Sequence, residues 1–447
     1  MTTKRILLLG NGGREHAIAK ALNRSQKYTV EIFAFMSAHN PGIAKEALCF
    51  EICTEKNFGA KGGFAELKAF AHDIQPHFAI IGPDDPIGAG AVDALRSIGI
   101  ESMAPSQTCA RLESSKGFTR NIVEKYGIPG NPQFQVFTST KGLEEFCATL
   151  DGKFVVKDDG LCGGKGVFVQ GDHFETIAEG LEIAKKILEK SDSLVIEEKL
   201  EGPEFSLMFF VDGKTAVPMP SIADHKRAYE GDTGPNTGGM GTISFPTILP
   251  FITEKNIAEA HQITEEVMKA VEKECGEKFH GIMYGGFMRT KNGTKLIEYN
   301  ARFGDPEALN ALPILESDFI DICEAIIAEN LAAVPVVFRK KATVCKYLVP
   351  EGYPTKPIKG SEIIIDESKI PEGVELFFAS VAEDGEKLVL CGSRAIGVVG
   401  IDEDFATAEG LAEKAMEAIS GPVFHRKDIG TKALLEKRIS EGERCGE

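Results

Sequence analysis

Through its first hundred positions the chain alternates short apolar runs with apolar residues at helical spacing. A chain written this way folds as a parallel sheet with helical crossovers. Ile6–Leu9 reads as a buried strand that stops at Gly10, and Ala17, Ile18, Ala21 and Leu22 follow on one helical face. Thr29–Ala34 reads as a second strand, Phe64–His72 as a helix, and Phe78–Ile81 as another strand ending in Gly82-Pro83-Asp84. Ile87–Ile98 is helical again. Parallel neighbours need crossovers of a dozen or more residues, and those crossovers place the functional loops at the strands' carboxyl ends.

The pattern then changes. One long helix is expected from Thr108 to Tyr126, stopped by Gly127-Ile128-Pro129. A smaller unit follows, with strands Gln133–Phe137, Phe154–Lys157, Val167–Gln170 and Leu194–Glu198 and helices near Gly142–Leu150 and Phe174–Glu189. Phe205 to Val217 reads as two strands joined at Asp212-Gly213. Ser221–Ser244 has no periodicity and is rich in Gly, Pro, Asn and Asp, so it reads as a long functional loop. A helix over Ile257–Cys275, strands Ile282–Arg289 and Lys295–Tyr299 meeting at Asn292-Gly293, and helices within Glu307–Glu329 come next. Beyond Val334-Pro335 the chain is β-rich to Gly400 and ends in helices.

Composition narrows the function. At 447 residues the chain has room for about three domains. A net charge of −17 repels polyanions, so nucleic acid and anionic membrane are poor partners. Ten cysteines with no Cys-x-x-Cys pair fit free thiols in a reducing compartment rather than zinc or disulfides. No apolar run reaches the ~20 residues of a membrane helix, and the amino terminus carries no export signal. A cytoplasmic protein is expected.

Four segments carry chemistry. Gly10-Asn11-Gly12-Gly13-Arg14 joins the first strand to the first helix, where backbone N–H groups favour an anion. It is not the dinucleotide fingerprint, because Glu15 stands where the third glycine belongs. Lys157-Asp158-Asp159-Gly160-Leu161-Cys162-Gly163-Gly164-Lys165-Gly166 lies between two strands, with a lysine near each end. Such a loop can fold its N–H groups over phosphates. It is not a Walker A loop, since Gly166 replaces the Ser or Thr that binds Mg²⁺. Glu298-Tyr299-Asn300 ends a strand, and alternation puts Glu298 and Asn300 on one face as two hard oxygen ligands for Mg²⁺. Arg302 follows in a turn that leads through Asp305-Pro306 to a helix, placed to hold a phosphoryl group. Lastly, Asp224-His225-Lys226-Arg227 and Gly234–Gly241 share the long aperiodic segment and suit a substrate pocket; His225 alone is no sign of acid–base catalysis.

Taken in order, from Gly10–His16 to His425–Gly430, these segments resemble the phosphoribosylamine–glycine ligases, also called glycinamide ribonucleotide synthetases, of the ATP-grasp superfamily. The most specific stretches are His225–Gly241 and Glu298–Glu307. The resemblance implies an α/β and α+β multidomain fold: a Rossmann-like parallel-sheet domain over residues 1–107, an ATP-grasp domain over 108–335 with a mobile lid at about 124–194, and a small β-rich C-terminal domain over 336–447. It implies that ATP, glycine and 5-phosphoribosylamine react through an acyl phosphate, with Mg²⁺ or Mn²⁺ held by Glu298 and Asn300. Lys116 and Lys157 would bind ATP phosphates under a cover formed by Gly160, Gly163, Gly164, Lys165 and Gly166. Glu197 and Lys199, with Leu200, would meet adenine largely through backbone and Glu204 the ribose. Gly12, Arg14, Gly82, Asp84, Asp224, His225, Lys226, Gly238, Gly239, Met240 and Pro306 would face the substrates, with Arg302, Lys226 and Asp305 as catalytic groups. A monomer or weak homodimer is implied. The chain departs from the family at Asp158 and at Cys162-Gly163, where alanines are usual. Another ATP-grasp ligase or carboxylase, a nicotinamide-dependent oxidoreductase and an inactive ATP-binding module are the competing readings.

Overall fold

In the computed structural model, residues 1–163 and 165–446 are described. The first sheet is parallel. Its strands Cys49–Ile52, Tyr28–Met36, Thr2–Leu9 and Phe78–Ile81 lie side by side in that order. The chain therefore builds outward from Thr2–Leu9 in one direction and then crosses to its other side. Loops after Thr2–Leu9 and Phe78–Ile81 meet at this reversal, the place where open α/β sheets bind ligands. Ile6–Leu9 is fully buried, as its continuous apolar run requires. Cys49–Ile52 was not read as a strand; all four of its residues are exposed at the sheet edge, so no burial pattern marks them. The helix expected over Ile87–Ile98 is instead two short ones, Asp84–Gly88 and Ala91–Arg96, parted where Gly90 takes a φ of +94°.

The long helix expected from Thr108 to Tyr126 is also broken. Arg111–Ser114 and Lys116–Lys125 are separate, because Ser115 is extended (φ −139°) and its hydroxyl accepts from the Phe118 N–H. The apolar spacing runs on across the break and conceals it. A serine N-cap at this point restarts the helix with Lys116 as its first residue.

Residues 134–198 form a unit with its own core. Strands Phe134–Phe137, Leu194–Glu198, Phe154–Asp158 and Val167–Val169 make an antiparallel sheet in that order. Helices Leu143–Thr149 and Ile177–Leu188 cover it, burying Phe137, Leu143, Cys147, Phe154, Val156, Leu194 and Ile196 together. The rings of Phe154 and Phe174 lie 4.9 Å apart at its centre.

The largest sheet runs through the strands Gly293–Asn300, Gly281–Thr290, Glu204–Val211, Ile222–Asp224, Gly241–Ser244, Ala342–Pro350, Ile396–Asp402 and Val374–Phe378. Gly241–Ser244 pairs with Ala342–Pro350, so one continuous ladder joins the middle of the chain to its C-terminal part. The segment Ser221–Ser244, expected to be an aperiodic loop, contains four short strands. Ile222–Asp224 and Gly241–Ser244 enter the large sheet, while Arg227–Tyr229 and Thr233–Asn236 form a hairpin. Runs of three or four residues are too short for alternation to register, and their turn residues dominate the composition. Among the described residues no helix is long and apolar enough to cross a membrane.

Because the 134–198 unit has a separate core, Phe154→Ala should loosen it alone. A buried Phe→Ala change costs about 3–5 kcal/mol. Hydrogen exchange should accelerate across residues 134–198 and remain slow in Thr2–Leu9 and Ala342–Pro350; uniform acceleration along the chain would show that the cores unfold as one.

Candidate functional site

The three sheets meet around a cleft of about 840 Å³. One wall is the small antiparallel sheet with the glycine loop. The other is formed by the large sheet, the turns at the carboxyl ends of the parallel strands, and a contribution from the C-terminal region.

At the base of the first wall three charged side chains are buried together. Glu197 accepts from Arg120 Nε (2.6 Å) and Nη2 (2.9 Å) and pairs with Lys157 Nζ at 2.7 Å. Burial by itself would raise the Glu197 carboxyl, but Arg120 and Lys157 hold it down to about 2. Burial also lowers the Lys157 ammonium, against the opposing pull of Glu197. The remaining donors reach main-chain oxygens of the strand Gly293–Asn300: Arg120 to Leu296 and Ile297, Lys157 to Ile297 at 3.1 Å. The Glu197 carboxylate is thus taken up by Arg120 and Lys157, and Glu197, Glu198, Lys199 and Leu200 line the cleft beside Met288 and Ile297.

The glycine loop is tied down at one end. Lys116 Nζ donates to the Gly160 carbonyl at 2.7 Å. The Asp159 carboxylate accepts from the Gly117 N–H (3.1 Å) and the Ser193 hydroxyl (2.9 Å), so it sits at the positive end of the helix Lys116–Lys125. Gly160, Gly163 and Gly166 line the cleft. Gly163 has a left-handed φ of +54°, a conformation that would strain a residue with a Cβ. Lys165 is exposed, and Gly164 lies outside the described residues. Asp158 is not on the cleft wall, unlike its neighbour Lys157.

The two walls converge on Glu298. Burial pushes its carboxyl up, and Lys226, Lys157, Lys116 and Arg302 together hold it below the usual range. Asn300 lies on the same strand face and accepts from Arg302 Nη2 at 3.0 Å. Arg302 is fixed by Glu113, 2.8 Å away, whose other oxygen accepts from the Ala301 N–H at 2.7 Å. One carboxylate and one amide oxygen on a rigid strand are hard donors of the kind that suit Mg²⁺. No group of three or more His, Cys, Asp or Glu side chains among the described residues forms a metal cage.

The second half of the cleft lies at the switch point of the parallel sheet. The loop Gly10–Arg14 already holds anions, both from the chain itself. Glu15 turns back so that its carboxylate accepts from the Gly12 N–H and from Arg14 Nε, each at 2.6 Å. Asp305 accepts from the Arg14 N–H at 3.4 Å. A Cβ on Gly82 would lie 1.9 Å from the Glu15 carboxylate, so Gly82 is there to admit it. Asp305 is held from the C-terminal side by Tyr347 Oη (2.7 Å) and Arg394 Nη2 (3.1 Å). Arg394 also donates to the carbonyls of Gly238 (2.6 Å), Gly239 (3.1 Å) and Asp305 (2.8 Å). Gly239 threads between Pro306 and Asp224, where a Cβ would come within 2.8 Å of both. Arg14, Asp84, Asp224, Lys226, Gly238, Arg302 and Asp305 face the cleft. His225 and Met240 do not. Both are buried in the sheet, where the Met240 N–H donates to the His225 carbonyl. Lys226 stands 3.4 Å from Glu204 across the cleft, and its ammonium is held well above the usual range by Glu204, Glu298 and Asp224.

This arrangement matches a known family along most of the chain. Residues 4–113, 114–308 and 343–432 match the N domain, the ATP-grasp (A) domain and the C domain of phosphoribosylglycinamide synthetase. A protein of Methanosarcina barkeri named phosphoribosylamine–glycine ligase is 45% identical over 436 residues, covering 97% of this chain and 98% of its own. The chain belongs to the phosphoribosylglycinamide synthetase family. By that membership it is a carbon–nitrogen ligase of purine biosynthesis built on an ATP-using fold. A ligase of the same name from Methanocaldococcus jannaschii is 45% identical over 446 residues, with 98% of each chain covered. The crystal structure of the Thermotoga maritima phosphoribosylamine–glycine ligase superposes with a TM-score of 0.80 at 31% identity, covering 95% of this chain and 100% of that one. The biotin carboxylase domain of Hydrogenobacter thermophilus 2-oxoglutarate carboxylase, 12% identical with a TM-score of 0.74 over 99% of this chain and 97% of its own, shares the fold.

Several residues of this synthetase's cleft were not read from the sequence. Arg120 follows Lys116 by four positions on one helical face, and that spacing was the available signal. Glu113 precedes Lys116 by three residues, across the Ser115 break. Arg394 and Arg438 lie far along the chain with no motif around them. Glu307 accepts from Tyr284 Oη at 2.8 Å, and burial together with nearby Asp224 pushes its carboxyl up to about 7.

Glu307 should therefore make the folded protein less stable as pH rises. Between about 4.5, its ordinary value, and about 7, the folded state keeps a proton that the unfolded chain has lost, so unfolding free energy falls across that window. Glu307→Gln should abolish this loss. Denaturant unfolding should find the variant more stable relative to the parent at pH 8 than at pH 4, and an unchanged difference would refute the assignment.

Proposed function

We propose that the chain joins glycine to 5-phosphoribosylamine with cleavage of ATP to ADP and phosphate, giving glycinamide ribonucleotide through a glycyl phosphate. The observation that carries this reading is that Lys116, Lys157, Lys226 and Arg302 line one cleft with the half-buried Glu298, whose carboxyl they hold down. A carboxylate is a poor acyl donor because its leaving group would be oxide. Phosphorylating it first splits one hard step into two easier ones. The phosphoryl group passing between the two halves carries charge that fixed cations in a partly dry cleft can stabilise.

Glu298 and Asn300 would hold Mg²⁺ or Mn²⁺, which supplies Lewis-acid neutralisation of phosphate charge when bound. Lys116 and Lys157 bind the nucleotide phosphates, with the glycine loop as their cover. Glu197, Lys199 and Leu200 take the adenine edge, largely through backbone, and Glu204 the ribose. On the other side Arg14, Asp84 and the Asp224–Lys226 segment take the amine substrate. Arg302, held by Glu113, orients the transferred phosphate, and the Asp305–Pro306 turn shapes the glycine pocket. The amine attacks the glycyl phosphate as the neutral base. Among the described residues Asp224 Oδ1 has no partner, which leaves it free to accept a hydrogen bond from that amine. The 134–198 unit has its own core and meets the body at the cleft, which supports its acting as a lid that excludes water from the acyl phosphate.

Glu298→Gln keeps the shape and removes the charge opposed to four cations. Turnover should fall at least a hundredfold at limiting Mg²⁺ while circular dichroism stays native; near-normal turnover would place the metal elsewhere.

The intermediate has a direct test. Glycine labelled with heavy oxygen in its carboxylate should pass one labelled oxygen to the released phosphate for each amide formed. Product that accumulates while the phosphate stays unlabelled would rule out the glycyl phosphate.

A further inference from the structure

The last helix, Lys432–Arg444, lies beyond the C-domain match, which ends at residue 432. It is nevertheless built into the cleft. Lys437, Arg438 and Glu441 are on the cleft wall. At its end the helix packs on the large sheet: a Cβ on Gly442 would lie 2.5 Å from the Phe251 carbonyl, and Cys445 Sγ lies 3.4 Å from the Arg289 carbonyl.

Arg438 makes the decisive contact. The strand Ile222–Asp224 pairs fully with Gly241–Ser244 on one side, and the His225 N–H donates to the Gly241 carbonyl at 3.0 Å on that side. Strand alternation then turns the Asp224 peptide groups the other way, towards Glu204–Val211. There the ladder has already stopped, since the pair Ile222 with Ser206 is its last toward Asp224. The Asp224 carbonyl is left without a strand partner at the cleft wall. Arg438 Nη2 supplies one at 2.6 Å. Arg438 is half-buried, its guanidinium lies over the Phe251 ring at 5.8 Å, and its Nη1 is buried with no partner among the described residues. Lys226 follows Asp224 by two residues and faces Glu204.

We propose that Arg438 is a positioning residue for the Asp224–Lys226 segment, so that the C-terminal helix completes the amine-substrate side of the cleft. This inference rests on the reading of that segment given above. Without Arg438 the part-buried Asp224 carbonyl has no protein donor among the described residues, and an unpaired carbonyl there is unfavourable. Relief comes most readily from a shift of the strand end, and that shift carries Asp224 and Lys226 with it.

The test is steady-state kinetics of the full-length enzyme with each substrate varied in turn, beside thermal unfolding. Arg438→Met should raise KM for the amine substrate about tenfold or more and leave KM for ATP within about twofold. Arg438→Lys, which retains one donor, should recover part of the loss. Lys432→Ala, on an exposed residue of the same helix, should change neither. Unchanged amine KM in Arg438→Met, or parallel losses for all substrates that track a lower melting temperature, would overturn the proposal. Should the parent enzyme fail to consume ATP with glycine and phosphoribosylamine, the functional reading itself fails, and the two failures are thereby distinct.

Discussion

The buried Glu197 carboxylate, shared between Arg120 and Lys157, is the interaction on which the cleft depends. Each of the three comes from a different piece: Arg120 from the helix Lys116–Lys125, Glu197 and Lys157 from two strands of the small sheet. The donors left over bind the carbonyls of Leu296 and Ile297, immediately before Glu298. One cluster therefore sets the register between the small sheet and the strand that carries Glu298 and Asn300. Such a cluster adds little net stability, because desolvating three charges offsets most of their attraction. Removing a single member is another matter, since it strands uncompensated charge in the interior at about 3–5 kcal/mol. What the cluster provides is position.

The other half of the cleft follows a similar logic with a different anion. A loop at the start of a helix, rich in glycine and at the switch point of a parallel sheet, is an open invitation to phosphate. Here Glu15 takes the Gly12 N–H, and Asp305 the Arg14 N–H. The turn thus serves as a clamp between the first sheet and the Asp305 turn of the ATP-grasp part. Arg394 and Tyr347, from the C-terminal part, grip Asp305 from behind. All three parts of the chain consequently meet at one carboxylate.

Much of this was legible in the residues themselves. Continuous apolar runs marked the central parallel strands because a strand covered on both faces has no polar side to show. Alternation put Glu298 and Asn300 on one face, and the glycine loop declared itself because four glycines in seven residues exceed what a turn requires. Where a single local rule was sufficient, as at Leu194–Glu198 or Phe78–Ile81, the element ends where its residues say. The reading failed where a polar cap or a very short strand overrode the apolar spacing: Ser115 divides one expected helix, and Ile222–Asp224 and Gly241–Ser244 lay hidden in an expected loop.

By itself the sequence determined most of the elements, the family and the chemical types gathered in its motifs, because each of these depends on residues close together along the chain. Which side chains actually face the cleft was decided only in three dimensions. Glu197 lines the cleft, yet its carboxylate is taken up by Arg120 and Lys157, two cations far from it along the chain. His225 and Met240 stand in the most specific stretch yet lie in the sheet, where backbone pairing holds them. Arg394 and Arg438 stand in no motif yet reach the cleft, because the continuous ladder through Gly241–Ser244 and Ala342–Pro350 brings the end of the chain back against its middle. Long-range pairing of this kind leaves no periodic trace, and only the folded chain brings its partners together.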